Sequence, residues 1–465
     1  MTLTLGQVAD WIHAEGDVDL CAEVQGYSID SRTVAAGDLF FAVQGEHLDG
    51  HQFVESALQA GAAAAVVSTH WVVPAEVDSC KLLRVPDSED CVLKALQKLA
   101  RQVRRQWGKR VIGITGSAGK TTTKECVAAV LSSQFHVLKS AGNLNNGFGM
   151  PLQLLKLQPQ HDVAVIEMGM NHGGEIAALA KIAEPDWAVI SNVAPVHLEH
   201  FPNGMEGIAA AKYELVQSLP SEGIAFLNAD DPYVSRFGRE REAHTRTFGI
   251  HAAGALVRAT SVESAGADGM RFDVAAGSNE QGTGISITVE IALLGEHNVY
   301  NALAAIAVGL ESGIPLQACI DSLAALRPGD KRGEQIEWNG ARIINDCYNS
   351  NPRALDAMVD ALMAVEAQRH IVIAGEMLEL GPDADRLHAC CGEHMAARGV
   401  DVVVGVRGHA ALLIAGSGAD AVFVETPEEA GAWMRSNLQP GDAVLMKASR
   451  GVRLERALTE LLKVG

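Results

Sequence analysis

The chain has no apolar run approaching the ~20 residues of a membrane span. Its opening stretch, MTLTLGQVADWIH, has no basic segment followed by an apolar one, so no secretory signal is expected. The eight cysteines form no C-x-x-C pair and no disulfide-like spacing. Reduced thiols in a cytoplasmic protein are the plain expectation. Positive charge is scarce: 37 Lys and Arg stand against 57 Asp and Glu, a formal net charge of −20. That balance argues against sequence-independent binding to nucleic acid or to an anionic membrane face. The one dense basic stretch, RQVRRQWGKR (Arg101 to Arg110), reads as the solvated face of a helix entering the next domain. An acidic protein that handles anions must gather its positive potential in clefts. There is no internal repeat, no low-complexity tract and no Ser-His-Asp or Cys-His signature.

What is present is length and alternation. The 465 residues suit three domains at the usual ~100–200 residues each. Residues 1–86 mix short strands and helices; HQFVESALQAGAAAAVVS reads as a helix, a stop at Gly61 and a small-residue strand. Residues 87–327 alternate strand and helix, interrupted by a β-rich insertion in which Asp268-Gly269 and a Gly/Ser/Asn stretch act as hairpin turns. Residues 328–465 alternate regularly through ARIIND, HIVIAGE, DVVVGV, AVFVE and DAVLMKAS, which implies a mostly parallel sheet covered by helices. GSGADA, from Gly416 to Ala421, matches a dinucleotide pattern but precedes a strand instead of following one, and reads as a loop.

The most informative stretch is RVIGITGSAGKTTTKE. Gly119-Lys120-Thr121 ends a phosphate-binding loop, yet the position five before Gly119 is Ile114, not Gly. Val111, Ile112 and Ile114 predict a short buried strand, and Thr121 onward has helical spacing. Gly116 and Gly119 then fall at a strand-to-helix turn, where backbone N–H groups can close on a phosphate and the helix N-terminus adds positive potential. Lys120 suits the β- and γ-phosphates, and the Thr121 hydroxyl suits Mg²⁺. HDVAVIEMGMNHGGEI places Glu167 at the end of an apolar strand, where such folds hold Mg²⁺ through a carboxylate. His197 follows the strand DWAVISNV, and Lys212 lies fifteen residues later on a helix. His197, Glu199 and His200 tempt a zinc reading that lacks further ligands. In HACCGEH, Cys390 and His394 share a helical face, read as a buried face with free thiols.

TGSAGKTTTKE, AGNLNNGFGMPLQLL, IEMGMNHGGEI, NVAPVHLEHF with AAAKYE, GEHNVYNALAA and NDCYNSNP occur in that order. Together they resemble the ATP-dependent Mur ligases of peptidoglycan synthesis, from about residue 28 to the end. T-G-x-x-G-K-T is that family's own loop variant. The resemblance implies an α/β fold of three domains: a small UDP-binding domain, a central P-loop mononucleotide-binding ATPase domain and a C-terminal Rossmann-like domain. It implies ATP and Mg²⁺ as cofactors. Within the family it points to the branch joining D-alanyl-D-alanine to UDP-N-acetylmuramoyl-tripeptide, by a monomer with no nucleic-acid partner and no membrane insertion.

By position, Gly116, Ser117, Ala118, Gly119, Lys120, Thr121 and Thr122 would hold the phosphates. Thr121, Glu167 and His197 would serve magnesium. Lys212 would be carbamoylated and bridge a second ion, against the plain alternative of a salt-bridged surface lysine. Asn298 and Asn301 would lie at the adenine, and Arg332 and Asp346 would reach phosphate and ribose. The family reads Pro-Gly-Arg where this chain has RPGDKRGEQI, so Arg332 is preferred over Arg327 and Lys331. Tyr348, Asn349, Lys447 and Arg450 would line the dipeptide side, Ser31 and Arg32 the uridine diphosphate, and Asn145 and Asn146 the linked substrate. A water-sensitive acyl phosphate calls for a closing third domain, open without ligands. A folylpolyglutamate-synthase-like ligase, a Mur ligase adding one amino acid, and a P-loop regulatory NTPase are the alternatives.

Overall fold

The computed structural model describes residues 2–45, 48–86, 88–276 and 286–463. Apolar strands buried on both faces need cover on both, and the chain meets that need with three sheets flanked by helices, besides a two-stranded antiparallel ribbon of Leu3–Thr4 and Glu23–Val24. The first sheet has four parallel strands, in the order Gly26–Ser28, Asp38–Phe41, Ala64–Ser68 and Leu82–Val85. The predicted helix before strand Ala64–Ser68 is Val54–Gln59, and Gly61 takes φ +105° in the turn that follows.

The second sheet has nine strands. From one edge they run Val137–Lys139, Val163–Glu167, Arg110–Thr115, Trp187–Ile190, Ile224–Asn228, Thr245–Gly249 and Val257–Ser264, all parallel. Met270–Ala276 and Ser286–Ile291 then add antiparallel strands. The predicted β-rich insertion is therefore not separate: it prolongs the central sheet. The Asp268-Gly269 turn is as expected, with Gly269 at φ +115°. The Gly/Ser/Asn turn falls at 277–285, outside the described residues. Along the central strands alternate side chains enter opposite cores. Val111, Ala164, Ile166 and Ile190 face one cluster, and Ile112, Ile114, Val165 and Val189 the other.

Arg110–Thr115 is the first strand of this sheet in sequence but lies in its middle. The chain first moves to one side of it and then crosses to the other. In open α/β sheets this reversal leaves a crevice at the carboxyl ends of the strands. Here those ends belong to Thr115, Glu167 and Ile190.

The third sheet runs Glu334–Trp338, Ala341–Asn345, Asp442–Lys447, Arg369–Gly375, Val402–Val406 and Asp420–Val424, parallel except for its first pair. The late strand Asp442–Lys447 inserts beside the first parallel one, which brings Lys447 next to Asp346. GSGADA is not simply a loop: Ser417 ends a helix, Gly418 turns the chain at φ +60°, and Asp420 opens the edge strand.

Two further expectations change. The basic stretch is not a solvated face. On helix Cys91–Trp107, Arg104 is buried and donates to the carbonyls of Ala183 and Glu184 and to Asp186 Oδ2, each at 2.9 Å. Arg101 and Arg105 both pair with Glu184, and Arg110 stacks 4.0 Å from the Trp187 ring centre. The stretch is basic because it clasps the C-terminal end of helix Glu175–Ala183, where cations are favoured. On helix Ala384–Arg398 the buried face carries His388, Cys391 and Met395, while Cys390 is exposed and His394 pairs with Asp360 at 2.8 Å.

Candidate active site

Thr115 ends the central strand, and the next residues turn sharply before helix Lys120–Leu131 begins. Only glycine fits at two points of that turn. A Cβ on Gly116 would stand 1.9 Å from Ser191 Oγ, and one on Gly119, at φ +78°, would stand 2.9 Å from Asn301 Oδ1. The loop is bolted to the chain leaving the neighbouring strand. The Ser117 amide donates to Asn192 O at 3.0 Å and the Ala118 amide to Asn192 Oδ1 at 2.9 Å. Ser117 Oγ accepts from the Ala194 amide at 2.9 Å, and Ser191 Oγ donates to Ala118 O at 2.8 Å. These clamp residues were not singled out from the sequence; serine and asparagine after a strand look like ordinary turn residues.

Lys120 folds back onto its own loop, donating to the carbonyl of Gly116 at 2.9 Å. Burial pulls its ammonium below the ordinary lysine range; Glu167 opposes that shift, and the Arg332 charge adds to it. The Thr121 hydroxyl donates to Glu167 Oε2 at 2.8 Å, and Asn145 Nδ2 donates to Oε1 at the same distance. Glu167 is buried, with its amide donating to Ser140 Oγ at 3.0 Å. Lys124, also missed from the sequence, is buried beneath this group, donating to Ser140 O at 2.7 Å with Glu167 Oε2 at 3.8 Å. An alcohol and a carboxylate side by side are the hard oxygen donors that Mg²⁺ prefers, and Mg²⁺ needs few protein ligands when phosphates complete its shell.

A cavity of about 870 Å³ opens over this loop. Ser117 to Thr122, Asn145, Glu167 and His197 line it from the central sheet, with Asn298 and Asn301 on helix Glu296–Glu311. Both asparagines are largely committed to protein partners. Asn301 accepts from Thr123 Oγ1 and donates to Asn298 Oδ1, each at 2.8 Å, while Asn298 Nδ2 donates to Leu294 O at 2.7 Å.

The opposite wall comes from the third sheet. Arg332 lines the cavity; Arg327 and Lys331 do not, the one donating to Ala324 O and the other lying 3.6 Å from Glu455. The Arg332 guanidinium lies 3.9 Å from the Tyr348 ring centre, a cation–π contact that fixes both. Lys447 pairs with Asp346 and donates to Asn349 O at 3.1 Å. Asn349 and Arg450 complete this side. In a chain of net charge −20 the cations thus converge on one cleft.

His197 takes a left-handed backbone, φ +53°, and its Nδ1 contacts the Glu379 carboxylate, joining central and C-terminal sheets. The contact holds Glu379 below the ordinary carboxylate range. His200 instead packs against His172, ring centres 4.3 Å apart and planes tilted by 47°, with Glu199 3.4 Å from its Nε2. Lys212 is not a surface lysine. On helix Gly204–Gln217 it is 1 % exposed, and no acidic group among the described residues lies within 4.0 Å of its amine. Burial, and secondarily the Lys120 charge, pull it well below the ordinary lysine range.

Four expected residues stand apart from the cavity wall besides Lys212. Gly116 lies behind the loop. Asn146 accepts from the Gly149 amide at 2.9 Å and opens helix Gly149–Leu154. Ser31 and Arg32 are in the first sheet's loop, where the exposed Arg32 pairs with Asp30 at 2.7 Å.

Known proteins resemble this chain in sequence and in fold. The sequence matches the Mur ligase family catalytic domain over residues 23–104, the Mur ligase middle domain over 114–309 and the Mur ligase glutamate ligase domain over 331–450. It is 35% identical to the UDP-N-acetylmuramoyl-tripeptide–D-alanyl-D-alanine ligase of Bacillus subtilis, covering 95% of this chain and 93% of that one. It is 36% identical to the enzyme of the same name from Escherichia coli, covering 90% and 89%. In structure it superposes on MurF from Acinetobacter baumannii with a TM-score of 0.86 at 28% identity, covering 99% of each chain. On MurF ligase from Thermotoga maritima in complex with ADP the TM-score is 0.80 at 29% identity, covering 94% and 97%. The chain belongs to the Mur ligase family.

Proposed function

We propose that the chain is an ATP-dependent amide ligase that adds D-alanyl-D-alanine to UDP-N-acetylmuramoyl-tripeptide in the cytoplasm, acting as a monomer. The observation that carries this reading is one cavity shared by a phosphate-binding loop and a second wall bearing Arg332, Asp346 and Lys447. A switch NTPase needs no such second wall. The division at 86/87 and 327/328 agrees with the three sheets and gives substrate nucleotide, ATP and dipeptide a unit each. No helix among the described residues is long and apolar enough to cross a membrane.

The chemistry needs no side-chain nucleophile. The tripeptide carboxylate attacks the γ-phosphoryl of ATP, the bond to the β-phosphate breaks, and ADP leaves. The dipeptide amine then attacks the acyl carbon, phosphate departs, and the amine loses its proton. Two anions meet in the first step, so the cations Lys120 and Arg332 lower its barrier. Thr121, Glu167 and His197 would hold Mg²⁺, which supplies further charge neutralisation between carboxylate and phosphates. Tyr348 keeps Arg332 in place, and Asp346 holds the Lys447 ammonium toward the same wall.

Lys212 carries the remaining proposal. A buried amine held well below its ordinary range has the free electron pair needed to attack CO₂. The N–C bond forms as one C=O π bond opens and the nitrogen gives a proton to solvent; the product is a carbamate, an anion where the unmodified side chain would be an unpaired buried cation.

The test is phosphate release with Mg-ATP and UDP-N-acetylmuramoyl-tripeptide, with D-alanyl-D-alanine, single amino acids or no acceptor, and product mass. Release with the dipeptide alone, and a product heavier by one dipeptide less water, is expected. Release with a single amino acid would change the branch, and release without acceptor would return the regulatory reading.

A further inference from the structure

Helix Pro352–Met363 begins in a way that needs an explanation. Asn351 caps it through Ala354, and Pro352 suits its first position, but Arg353 puts a cation where the helix dipole disfavours one. The side chain, 53 % exposed, does not fold back along its own helix. It crosses to the central sheet, where its Nη1 lies 3.5 Å from both Asp231 Oδ2 and Val193 O.

Asp231 is not an ordinary surface partner. Its side chain is fully buried, and its Oδ1 accepts from the amides of Tyr233 and Val234, each at 3.0 Å. Its Oδ2 accepts from the Val193 amide at 3.0 Å. Val193 sits between Asn192, which holds the amides of Ser117 and Ala118, and Ala194, which holds the Ser117 hydroxyl. One guanidinium of the C-terminal unit therefore touches the short segment that fixes the phosphate-binding loop. Among the described residues, the ion pairs from the C-terminal sheet and its helices to the central unit are this one and His197 with Glu379.

We infer that Arg353 is a positioning residue that transmits closure of the C-terminal unit to the phosphate-binding loop through Asp231 and residues 192–194. The inference rests on the ligase reading above. Arg353 also lines the cavity, so a direct contact with nucleotide would raise the KM for ATP when removed, whereas a contact that serves the closed, reacting state lowers kcat alone. A half-exposed pair made at 3.5 Å is worth no more than about 1 kcal/mol, or about three- to five-fold in rate.

The experiment compares wild type, Arg353→Gln and Arg353→Lys by dipeptide-dependent phosphate release and by thermal unfolding of the full chain. Expected are a kcat about three- to five-fold lower for Arg353→Gln, an unchanged KM for ATP and unfolding temperature, and partial recovery in Arg353→Lys. Equal kcat in all three proteins overturns the inference. So does a loss of kcat that follows a lowered unfolding temperature or a raised KM for ATP, or one that the lysine does not relieve. A wild type without dipeptide-dependent release overturns the ligase reading instead.

Discussion

At the scale of single residues, the site separates side chains defined by local sequence from those defined by what lies against them. Lys212 is the sharpest case. Spacing placed it on a helix but could not distinguish a surface lysine from a buried one, because AAAKYE is compatible with either. Burial without an acidic partner decides it. Lys212→Ala should lose most ligase activity, and short carboxylates such as acetate or propionate should restore part of it while leaving wild type unchanged. A fully active Lys212→Ala enzyme, measured by phosphate release, would remove the carbamate from the mechanism. Lys120, Thr121 and Glu167 were legible because strand, turn and helix fix them within a few positions. Ser191, Asn192 and Lys124 were not, since their work depends on a parallel neighbour whose register no local pattern reports. Asn146 shows a related ambiguity: an asparagine whose side chain accepts from a backbone amide three residues on looks the same in sequence as one that faces a substrate.

At the scale of elements, every apolar strand expected in the last 138 residues is present because runs such as HIVIAG and DVVVGV are buried on both faces. The edge strand Glu334–Trp338 escaped notice: EQIEW is half-polar and pairs on one side only. The sequence of helix Cys91–Trp107 reports its charge but not its partners. Its Arg104 makes three hydrogen bonds at 2.9 Å to groups around Ala183 to Asp186. Charged hydrogen bonds of this kind are worth about 1.5–3 kcal/mol, and truncation also strands two carbonyls. Arg104→Met should lower the denaturant midpoint by an amount equivalent to about 2–4 kcal/mol. Arg105→Met, at a solvent-screened surface pair, should leave the midpoint nearly unchanged.

At the scale of the whole molecule, three units and their order were legible from the change in texture along the chain. The placement of the C-terminal unit was not, because among the described residues the polar contacts that tie it to the central unit are few and far apart in sequence, among them His197 with Glu379, Arg353 with Asp231, and Gln335 Nε2 donating to Ala267 O at 2.6 Å. So sparse a set of polar ties suits a unit that swings. Small-angle scattering should show a smaller radius of gyration with an ATP analogue and both substrates than with none, and equal radii would count against a closing motion.

The apolar clusters give these units different histories. One continuous cluster runs from Leu3 and Leu5 of the first unit through helix Cys91–Trp107 into Ala164, Ile190 and Leu227 of the central sheet, whereas most of the C-terminal unit's apolar residues form clusters of their own. On the ribosome the N-terminal unit emerges first and offers the surface on which one face of the central sheet condenses. The nucleotide floor can therefore be complete while the residues of its lid are still unsynthesised. The catalyst is finished only when the last strand, Asp442–Lys447, slides between two that were made long before it.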